Sequence, residues 1–334
     1  MFNNKVILIT GGTGSFGKRC TKILLENYKP KKIIIFSRDE LKQWEMSQEL
    51  KKYEDKLRFF IGDVRDYGRI KLGTKGVDYL IHAAALKHVP AAEYNPQECI
   101  RTNIGGAENV INVSIENKIS KVISLSTDKA VSPINLYGAS KLASDKLFIS
   151  ANNLVGEKEK TLFSIVRYGN VINSRGSVLP LFKNLIKQGK KILPLTDKRM
   201  TRFWLSLDEG VKFVLDSFKV AQGGEIFVPK IPSVKITDLV KAIDQKIQFK
   251  IIGIRPGEKI HESLCIKEET LATYELKNYY VVVPNATVAK NKNKIEKSLK
   301  KLKAKKVKEN FEYTSDRNSN FLNTKQIKKL IEKR

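Results

Sequence analysis

Short apolar runs alternate with longer amphipathic stretches through the first half of the chain. The runs "KVILIT", "KKIIIFS", "LRFFIGDV", "VDYLIHAAA" and "KVISLST" are apolar over most of their length, which predicts strands buried on both faces. The stretches between them include "FGKRCTKILLENY", "LKQWEMSQELKKYE" and "NPQECIRTNIGGAENVINVSIENK", and each predicts a helix. This alternation predicts an α/β fold with a Rossmann-type, doubly wound parallel sheet.

The pattern loosens after about Leu162, where "FSIVRYGNV" predicts one more strand. A helix in "LDEGVKFVLDSFKVA" and a strand in "GGEIFVP" are expected to return to the main sheet, whereas "TDLVKAI", the "GIRPGEK" loop and "YYVVVP" are assigned to a smaller α/β lobe. The predicted division has three parts. Residues 1–165 form the Rossmann domain, with 204–229 returning to it, residues 166–203 and 230–285 form a substrate-binding lobe, and residues 286–334 form a Lys-rich C-terminal segment.

The chain has 334 residues and a formal net charge of +27, which raises nucleic acid or an acidic membrane as a partner. Ten lysines and one glutamate lie between Lys290 and Lys308, where Ile295, Leu299 and Leu302 are at helical spacing and predict a solvated surface helix. The other lysines are scattered along the chain, which is typical of a composition generally rich in lysine rather than of a binding surface. No nucleic-acid module is recognisable in the sequence, so we expect no nucleic-acid partner.

Cysteine and histidine are few and widely spaced, and no CxxC occurs. They are Cys20, Cys99 and Cys265, with His82, His88 and His261. Neither a disulfide framework nor a metal site is indicated. No apolar run approaches the ~18 residues that span a bilayer, and the N-terminus starts a strand almost at once, without the plan of a signal peptide. We expect a cytoplasmic protein with reduced thiols.

A glycine-rich turn, "TGGTGSFG", runs from Thr10 to Gly17 between the first strand and the first helix. Its glycines fit both GxxGxxG and GxGxxG. A turn of this kind lets the backbone approach a pyrophosphate that the helix N-terminus also faces. We therefore expect a dinucleotide cofactor here.

The second strand ends in "FSRDE", where folds that select NAD usually carry an acid for the ribose 2′-hydroxyl. The hydroxyl of Ser37 and the guanidinium of Arg38 instead suit a 2′-phosphate, and Lys42 follows one turn later. The sequence thus favours NADP over NAD. Asp39 argues the other way, unless it only begins the next helix.

The stretch "STDKAVSPINLYGASK" follows the strand "KVISL", so it lies where open α/β sheets bind ligands. Tyr137 and Lys141 are four residues apart and share a helix face, which indicates a redox pair. The reference pKa of tyrosine is about 10, and a nearby ammonium and a cationic nicotinamide would both favour the phenolate. A second charged pair, Asp128 and Lys129, is not needed for redox chemistry alone.

These motifs resemble the extended short-chain dehydrogenase/reductase family. Within it they closely resemble the inverting UDP-N-acetylglucosamine 4,6-dehydratases that begin pseudaminic acid synthesis for flagellin glycosylation. The likeness rests on "TGGTGSFG", "SRDELK", "FFIGDVRD", "HAAALKHVP", "STDKA", "NLYGASK", "VRYGNV", "MTRFW", "GGEIFVPKIP" and "IRPGEKIHE", and only the stretch after Asn285 is poorly covered. It implies a tightly bound NADP that is regenerated in each turnover, and a homo-oligomer, either a dimer or a hexamer.

The resemblance also implies roles for five residues of "STDKAVSPINLYGASK". Oxidation at C4 of the sugar makes the C5 proton acidic. Lys129 is then the base at C5 and Asp128 the acid for the C6 hydroxyl, while Tyr137 and Lys141 form the redox pair and Thr127 holds the C4 hydroxyl. Because a base must be unprotonated, we expect nearby positive charge or burial to lower the pKa of Lys129.

Further contacts follow from the resemblance and the turn residues above. The expected cofactor contacts are Gly11, Thr13, Gly14, Ser15, Phe16, Gly17, Ser37, Arg38, Lys42, Asp63, Val64, Ala83, Ala84, Lys87, Tyr137 and Lys141. The expected UDP-N-acetylglucosamine contacts are Lys87, Asn170, Val178, Thr196, Met200, Arg202, Arg255 and Glu258. Two arginine forks on one diphosphate are chemically sensible.

Three alternatives stay open at this stage. A related dehydratase or epimerase of capsule synthesis would use the same chemistry, and C5 epimerisation of the product could also occur in the same site. A plain NADP-dependent nucleotide-sugar epimerase would need Tyr137 and Lys141 but not Asp128 and Lys129. A non-catalytic nucleotide-sensing or nucleic-acid-binding protein would use the basic tail.

Overall fold

The computed structural model describes residues 1–156, 160–174, 176–284 and 290–332. The strands in these ranges are β1 Val6–Thr10, β2 Lys32–Ser37, β3 Leu57–Ile61, β4 Tyr79–His82, β5 Lys121–Thr127, β6 Leu162–Tyr168, β7 Asn170–Val171, β8 Ile192–Leu195, β9 Thr201–Leu205, β10 Ile226–Pro229, β11 Ser233–Lys235, β12 Gln248–Ile251, β13 Ser263–Cys265, β14 Thr273–Glu275, β15 Tyr279–Val282, β16 Lys305–Lys306 and β17 Tyr313–Thr314.

The helices in the same ranges are α1 Ser15–Asn27, α2 Glu40–Glu49, α3 Tyr67–Gly73, α4 Val89–Tyr94, α5 Pro96–Ile100, α6 Gly106–Glu116, α7 Leu136–Leu154, α8 Val178–Lys187, α9 Leu207–Val220, α10 Ile236–Ile243, α11 Lys292–Lys301 and α12 Thr324–Glu332. A π-helical turn over Arg101–Gly105 joins α5 to α6, so the long predicted helix is present with one wider turn inside it.

The main sheet has ten strands in the order β16-β14-β15-β10-β6-β5-β4-β1-β2-β3. The strands from β3 to β10 pair in parallel, as the continuous apolar runs predict. Ile7, Ile33 and Ile81 are fully buried in it because helices cover both faces. The predicted Rossmann-type fold is confirmed, and the return of β10 to the main sheet is confirmed with it.

The strand "YYVVVP" was expected in the smaller lobe, and this expectation is wrong. Its residues form β15, which pairs antiparallel with β10 and extends the main sheet. Val281 and Val282 are buried in the main core. An apolar run predicts a strand but not its neighbour, which tertiary packing decides. The domain division itself stays a prediction, and its boundary at residues 285 and 286 lies outside the described residues.

The smaller lobe is built on the three-stranded sheet β11-β9-β7 and the pair β12-β8. Two small apolar cores hold it, one around Trp204 and Leu239 and one around Phe182 and Leu193. Its central strand, β9, lies between a parallel and an antiparallel neighbour and carries Arg202. Arg202 is thereby placed on a strand rather than on a mobile loop.

The predicted helix of the Lys-rich segment is present as α11. Ile295 and Leu299 are buried against the main core, whereas Leu302 is 42% exposed. The exposed residues of the helix include Lys294, Lys297 and Lys300. Within the described ranges, no helix combines the length and the apolar character needed to cross a membrane.

Candidate active site

A cavity of about 850 Å³ lies at the carboxyl ends of the parallel strands, where it also meets the smaller lobe. The predicted cofactor, catalytic and substrate residues all line it, from Gly11 in the glycine-rich turn to Glu258 in the "IRPGE" loop. Parallel strands end at one edge of the sheet, which explains why residues far apart in sequence meet there. Placement alone does not assign roles, so the individual roles stay predictions.

The glycine-rich turn forms a cradle that side chains would fill. A Cβ at Gly17 would lie 2.4 Å from the carbonyl oxygen of Gly12, and Gly11 has a φ of 64°, a region that favours glycine. The helix α1 follows at Ser15 and has no side-chain cap at its N-terminus. Its first N–H groups are thus left for an anion, and the geometry fits a pyrophosphate.

Thr10 and His82 join the ends of β1 and β4 beneath this turn. The Thr10 Oγ1 lies 2.9 Å from the His82 Nδ1 and accepts hydrogen bonds from the backbone N–H groups of Ala83 and Ala84. Burial lowers the pKa of His82 to about 3, and the charge of Lys141 acts in the same direction. His82 is therefore a neutral, structural histidine at the floor of the site.

The end of β2 carries the residues expected at the ribose. Asp39 caps α2, because its Oδ1 accepts a hydrogen bond of 2.9 Å from the backbone N–H of Lys42, and its carboxylate also pairs with the Lys42 ammonium. The alternative role of Asp39 as a helix start is confirmed. Arg38 is half exposed at the cavity and has its Nη1 3.5 Å from Asp63 Oδ2. This arrangement leaves a guanidinium fork for a phosphate.

In "STDKAVSPINLYGASK", the Asp128–Lys129 pair and the Tyr137–Lys141 pair lie on two adjoining elements. The strand β5 ends at Thr127 and a 3₁₀ turn over Asp128–Ala130 follows it. Asn135 then caps α7 by accepting a hydrogen bond of 2.8 Å from the N–H of Gly138. The cap fixes the first turns of α7, which carry Tyr137 and Lys141, beside the end of β5.

Asp128 is fully buried and holds one carboxylate oxygen in hydrogen bonds. Its Oδ1 accepts from Thr127 Oγ1 at 2.9 Å and from Lys129 Nζ at 3.1 Å. Its Oδ2 has no hydrogen-bond partner in the part of the chain that the structure describes. Burial raises the pKa of Asp128, Lys129 opposes the rise and Glu262 adds to it. A carboxyl in this environment can keep a proton and deliver it as an acid.

Lys129 differs from the expectation drawn from the sequence. Burial alone would lower its pKa, but the negative charges of Asp128 and Glu262 raise it above the ordinary value. Glu262 Oε1 lies 3.1 Å from the Lys129 Nζ. The expected lowering is therefore wrong for the protein alone, because the amine lies beside a second carboxylate, that of Glu262.

Tyr137 and Lys141 are both buried side by side on α7. Burial raises the pKa of Tyr137 to about 12, although the charge of Lys129 and a hydrogen bond with Thr127 lower it. Burial lowers the pKa of Lys141, which the charge of Asp145 opposes. Lys141 thus does not create a phenolate by itself, and Tyr137 needs further positive charge nearby before it can act as a base.

The two arginines expected at the diphosphate are held differently. Arg202 is buried and donates to the backbone oxygens of Thr201, Ile260 and Lys259 at 2.7–2.9 Å. Arg255 is largely exposed and pairs with Glu258 at 3.0 Å. Arg202 therefore offers a fixed positive charge, whereas Arg255 is free to turn toward an anion by leaving its carboxylate.

Comparison with known proteins agrees with these features. A family model described as a polysaccharide biosynthesis protein matches residues 7–284. The chain belongs to this family of extended short-chain dehydrogenase/reductases. The family resemblance drawn from the motifs is confirmed.

Three similar proteins illustrate the range of this short-chain dehydrogenase/reductase family. A UDP-N-acetylglucosamine 4,6-dehydratase (inverting) of Campylobacter jejuni is 57% identical over 99% of this chain and 98% of its own. A UDP-glucose 4-epimerase of Rickettsia bellii is 50% identical over 84% of this chain and 83% of its own. The X-ray structure of Pen from Bacillus thuringiensis is 35% identical, covers 100% of this chain and 99% of its own, and has a TM-score of 0.88.

Several residues that line the cavity of this protein were not expected from the sequence. Glu262 and Lys259 line it together with Trp204 and His88. Glu262 ends the quoted motif "IRPGEKIHE", so its place in that motif was an available signal. A lone glutamate after a loop is usually exposed, however, and carries no chemical signal by itself. The described residues contain no group of three or more His, Cys, Asp or Glu side chains able to hold a metal ion.

Proposed function

We propose that this protein is a C5-inverting UDP-N-acetylglucosamine 4,6-dehydratase that works through bound NADP. The product would be UDP-2-acetamido-2,6-dideoxy-β-L-arabino-hex-4-ulose. The observation that carries the proposal is the pair of buried Asp128 and half-buried Lys129, which lines the same cavity as Tyr137 and Lys141. One site then holds the groups for redox chemistry and those for elimination, and the 57% identity to a relative of that name supports the same reaction.

The first half of the reaction uses Tyr137, Lys141 and Thr127. Tyr137 removes the proton of the C4 hydroxyl, which Thr127 holds at the end of β5. NADP, when bound, supplies the hydride acceptor for C4, a positive charge near Tyr137 and the hydride donor for C6. The pKa of Tyr137, raised to about 12 by burial, makes that added charge necessary for its work as a base.

The second half of the reaction uses Lys129 and Asp128. The C4 ketone makes the C5 proton acidic, and Lys129 removes it. Asp128, whose pKa burial raises, gives its proton to the C6 hydroxyl, which leaves as water. The sugar loses one water and gains no net hydride, so the overall reaction is redox-neutral.

The cofactor contacts proposed for NADP come from three places. The uncapped N-terminus of α1 and the glycine-rich turn would hold the pyrophosphate. Asp63 and Val64 would border the adenine, and Ala83 and Ala84 would lie along the pyrophosphate. Ser37, Arg38 and Lys42 would surround the 2′-phosphate, and this cluster supports NADP over NAD.

The substrate contacts proposed for the diphosphate are Arg255, Arg202 and Asn170. The Oδ1 atom of Asn170 is buried and has no hydrogen-bond partner among the described residues. Because an amide oxygen only accepts hydrogen bonds, the contact of Asn170 with the diphosphate would be a donation from its Nδ2. Val178, Thr196 and Met200 line the cavity wall of the smaller lobe. Lys87 would lie between cofactor and sugar, and burial lowers its pKa.

Pathway, location and assembly belong to the same proposal. We propose that the enzyme begins pseudaminic acid synthesis for flagellin glycosylation in the cytoplasm, which rests on the sequence resemblance; capsule synthesis is the alternative. We also propose a homo-oligomer. The exposed side chains of Ile100 and Leu154 support pairing through the long helices around residues 97–118 and 136–154.

The test is to incubate the purified protein with UDP-N-acetylglucosamine in D₂O and to follow the products by NMR. We expect a 4-keto-6-deoxy sugar with deuterium at C5, and no accumulation of reduced nicotinamide at steady state. Reduced nicotinamide that accumulates in proportion to the sugar consumed would instead indicate a dehydrogenase.

The second candidate function is nucleotide-sugar 4-epimerisation. The 50% identity to a protein named UDP-glucose 4-epimerase favours it. An epimerase needs Tyr137 and Lys141, but its site does not need the acid Asp128 and the amine Lys129 beside them. In the same experiment it would yield a C4 epimer that keeps its C6 hydroxyl and shows no exchange at C5.

A further inference from the structure

Glu262 is a buried carboxylate in the cavity wall to which the proposed reaction gives no role. Its side chain is 2% exposed, and its Oε1 lies 3.1 Å from Lys129 Nζ and 3.9 Å from Arg202 Nε. Its Oε2 has no hydrogen-bond partner among the described residues. A buried carboxylate is costly to keep ionised unless cations pair with it. Arg202, Lys259 and, in its protonated form, Lys129 are the cations whose charges favour the ionised form of Glu262.

We propose that Glu262 is the positioning residue of Lys129: it orients the amine and stabilises the ammonium that forms when Lys129 takes the C5 proton. The inference rests on the proposed function, because it requires Lys129 to be the base. The arrangement has the logic of a Ser-His-Asp triad, in which a buried aspartate orients the histidine and stabilises the imidazolium without taking its proton.

The proton balance of the step shows where this stabilisation acts. The C5–H bond breaks, its electron pair enters the enolate between C4 and C5, and the proton forms a new N–H bond on Lys129. Asp128 then gives its proton to the C6 hydroxyl, and water leaves. In the form that reacts, with Lys129 as the free amine and Asp128 protonated, only Glu262 is charged among these three groups, whereas afterwards the new ammonium of Lys129 lies between two carboxylates. The summed charge of the three groups does not change.

Other charges around Lys129 come from every element packed against it. They are Asp128 on the same turn, Glu262 before β13, Arg202 on β9, Lys87 after β4, Tyr137 on α7 and Lys259 in the "IRPGEK" loop. Arg202 and Lys87 disfavour the ammonium, while Asp128 and Glu262 favour it. Asp128 is already used as the acid. Glu262 is thus the carboxylate that can stabilise the ammonium throughout the reaction.

The experiment compares Glu262→Gln with the wild type across pH, using UDP-N-acetylglucosamine and the holoenzyme. Glutamine keeps a hydrogen-bond acceptor for Nζ but removes the negative charge, so the ammonium becomes less favourable. We expect the acidic limb of kcat/KM to move to lower pH by about 1–3 pH units. We also expect C5 deuterium exchange at its plateau to fall roughly 10- to 100-fold. Oxidation at C4 in a single turnover should keep its rate.

Two further variants separate charge from structure. Glu258→Gln makes the same change four residues earlier, where the carboxylate pairs with Arg202 and Arg255 instead of Lys129. It should raise KM and leave the acidic limb in place. Glu262→Asp keeps the negative charge, so the acidic limb of kcat/KM should stay at the wild-type pH. C5 exchange should be slower, because the shorter side chain places the carboxylate farther from Lys129 Nζ.

The outcomes distinguish this inference from the function on which it rests. A wild-type protein that makes no dehydrated sugar would overturn the proposed function. If the wild type makes the dehydrated sugar but the acidic limb of kcat/KM for Glu262→Gln stays at the wild-type pH, only the role of Glu262 is overturned. If Glu262→Gln does not fold by circular dichroism, Glu262→Asp decides: equal slowing of C4 oxidation and C5 exchange would contradict the proposal.

Discussion

Gly138 packs directly against the backbone of Lys129: a Cβ at Gly138 would lie 2.1 Å from the Lys129 carbonyl oxygen. Gly138 follows Tyr137 on the first turn of α7, and Lys129 belongs to the 3₁₀ turn after β5. One close backbone contact therefore links the redox pair to the elimination pair. Because Gly138 has no side chain, α7 can lie this close to the 3₁₀ turn, and this sets the distance between the redox pair and the elimination pair.

Gly138→Ala should disturb both halves of the proposed reaction. The added methyl group must push the 3₁₀ turn away from α7, and a displacement of about 1 Å in a catalytic group can slow a reaction roughly 10²-fold. Single-turnover rates with UDP-N-acetylglucosamine are the measurement. Gly105→Ala is the matched control, because a Cβ there meets nothing within 4 Å. Equal rates for Gly138→Ala and Gly105→Ala would show that the contact does not position the site.

Lys129→Met should separate elimination from oxidation. Tyr137 and Lys141 remain, so hydride can still leave C4, but the C5 proton has no base. We expect reduced nicotinamide and a 4-keto sugar with its C6 hydroxyl to accumulate in a single turnover, and net turnover to fall roughly 10²- to 10⁴-fold. Tyr137→Phe, as the comparison, should stop before any reduced nicotinamide forms. Dehydrated product at the normal rate from Lys129→Met would exclude Lys129 as the base.

The sequence predicted the parts of this site that follow from the strand ends and missed those that depend on tertiary contacts. Thr127 and Asp128 could be placed because they follow the apolar run that predicts β5, which ends at Thr127. The pKa of Lys129 could not be predicted, because it depends on Glu262, which lies 133 residues away in the chain and beside it in space. In the same way, the pattern predicts that β15 is a strand but leaves its pairing with β10 open.

Arg38→Asp should weaken binding of NADP far more than binding of NAD. The change places a carboxylate where the 2′-phosphate is expected, close to Asp63. Loss of one charged hydrogen bond typically costs about 1.5–3 kcal/mol, and repulsion adds to it. Fluorescence titration of both cofactors against both proteins gives the comparison. The assignment of "FSRDE" to NADP fails if the two proteins bind NADP equally well.

His82 should make the protein less stable as pH falls through the range from 6.5 to 3. Burial lowers its pKa to about 3 in the folded state, while an unfolded histidine titrates near 6.5. Between these values the unfolded chain binds a proton that the folded chain does not, so protons favour unfolding, and the stability present above about pH 6.5 is lost on acidification.

The corresponding measurement is denaturant unfolding at pH 7 and pH 5 for the wild type and His82→Asn. Asparagine can accept the Thr10 hydroxyl hydrogen bond but does not titrate. Because each pH unit is worth about 1.4 kcal/mol, the wild type should lose about 2 kcal/mol more than the variant between the two conditions. Parallel losses would mean that His82 is protonated in the folded protein.

The buried guanidinium of Arg167 forms an ion pair with the half-buried carboxylate of Glu269, and removing only one of the two should destabilise the protein. Arg167 Nη1 lies 3.0 Å from both carboxylate oxygens of Glu269 and donates to the Leu264 carbonyl at 3.1 Å, and the Arg167 side chain is 3% exposed. Glu269→Leu leaves a buried guanidinium without its main partner, which should cost about 3 kcal/mol of unfolding free energy. Asp145, whose charge also favours the guanidinium, keeps the loss at the lower end of the usual range.

Replacing both Arg167 and Glu269 should lower the free energy of unfolding less than replacing Glu269 alone. Arg167→Met combined with Glu269→Leu removes the charges together, and burying apolar side chains of similar size avoids the desolvation cost of the pair. We therefore expect the double variant to unfold at a higher denaturant concentration than Glu269→Leu alone. Arg317→Met is a suitable surface control, because its pairing with Glu312 is exposed and should contribute little. A double variant less stable than the single one would mean that Arg167 contributes through its packing and its bond to Leu264 rather than through the ion pair.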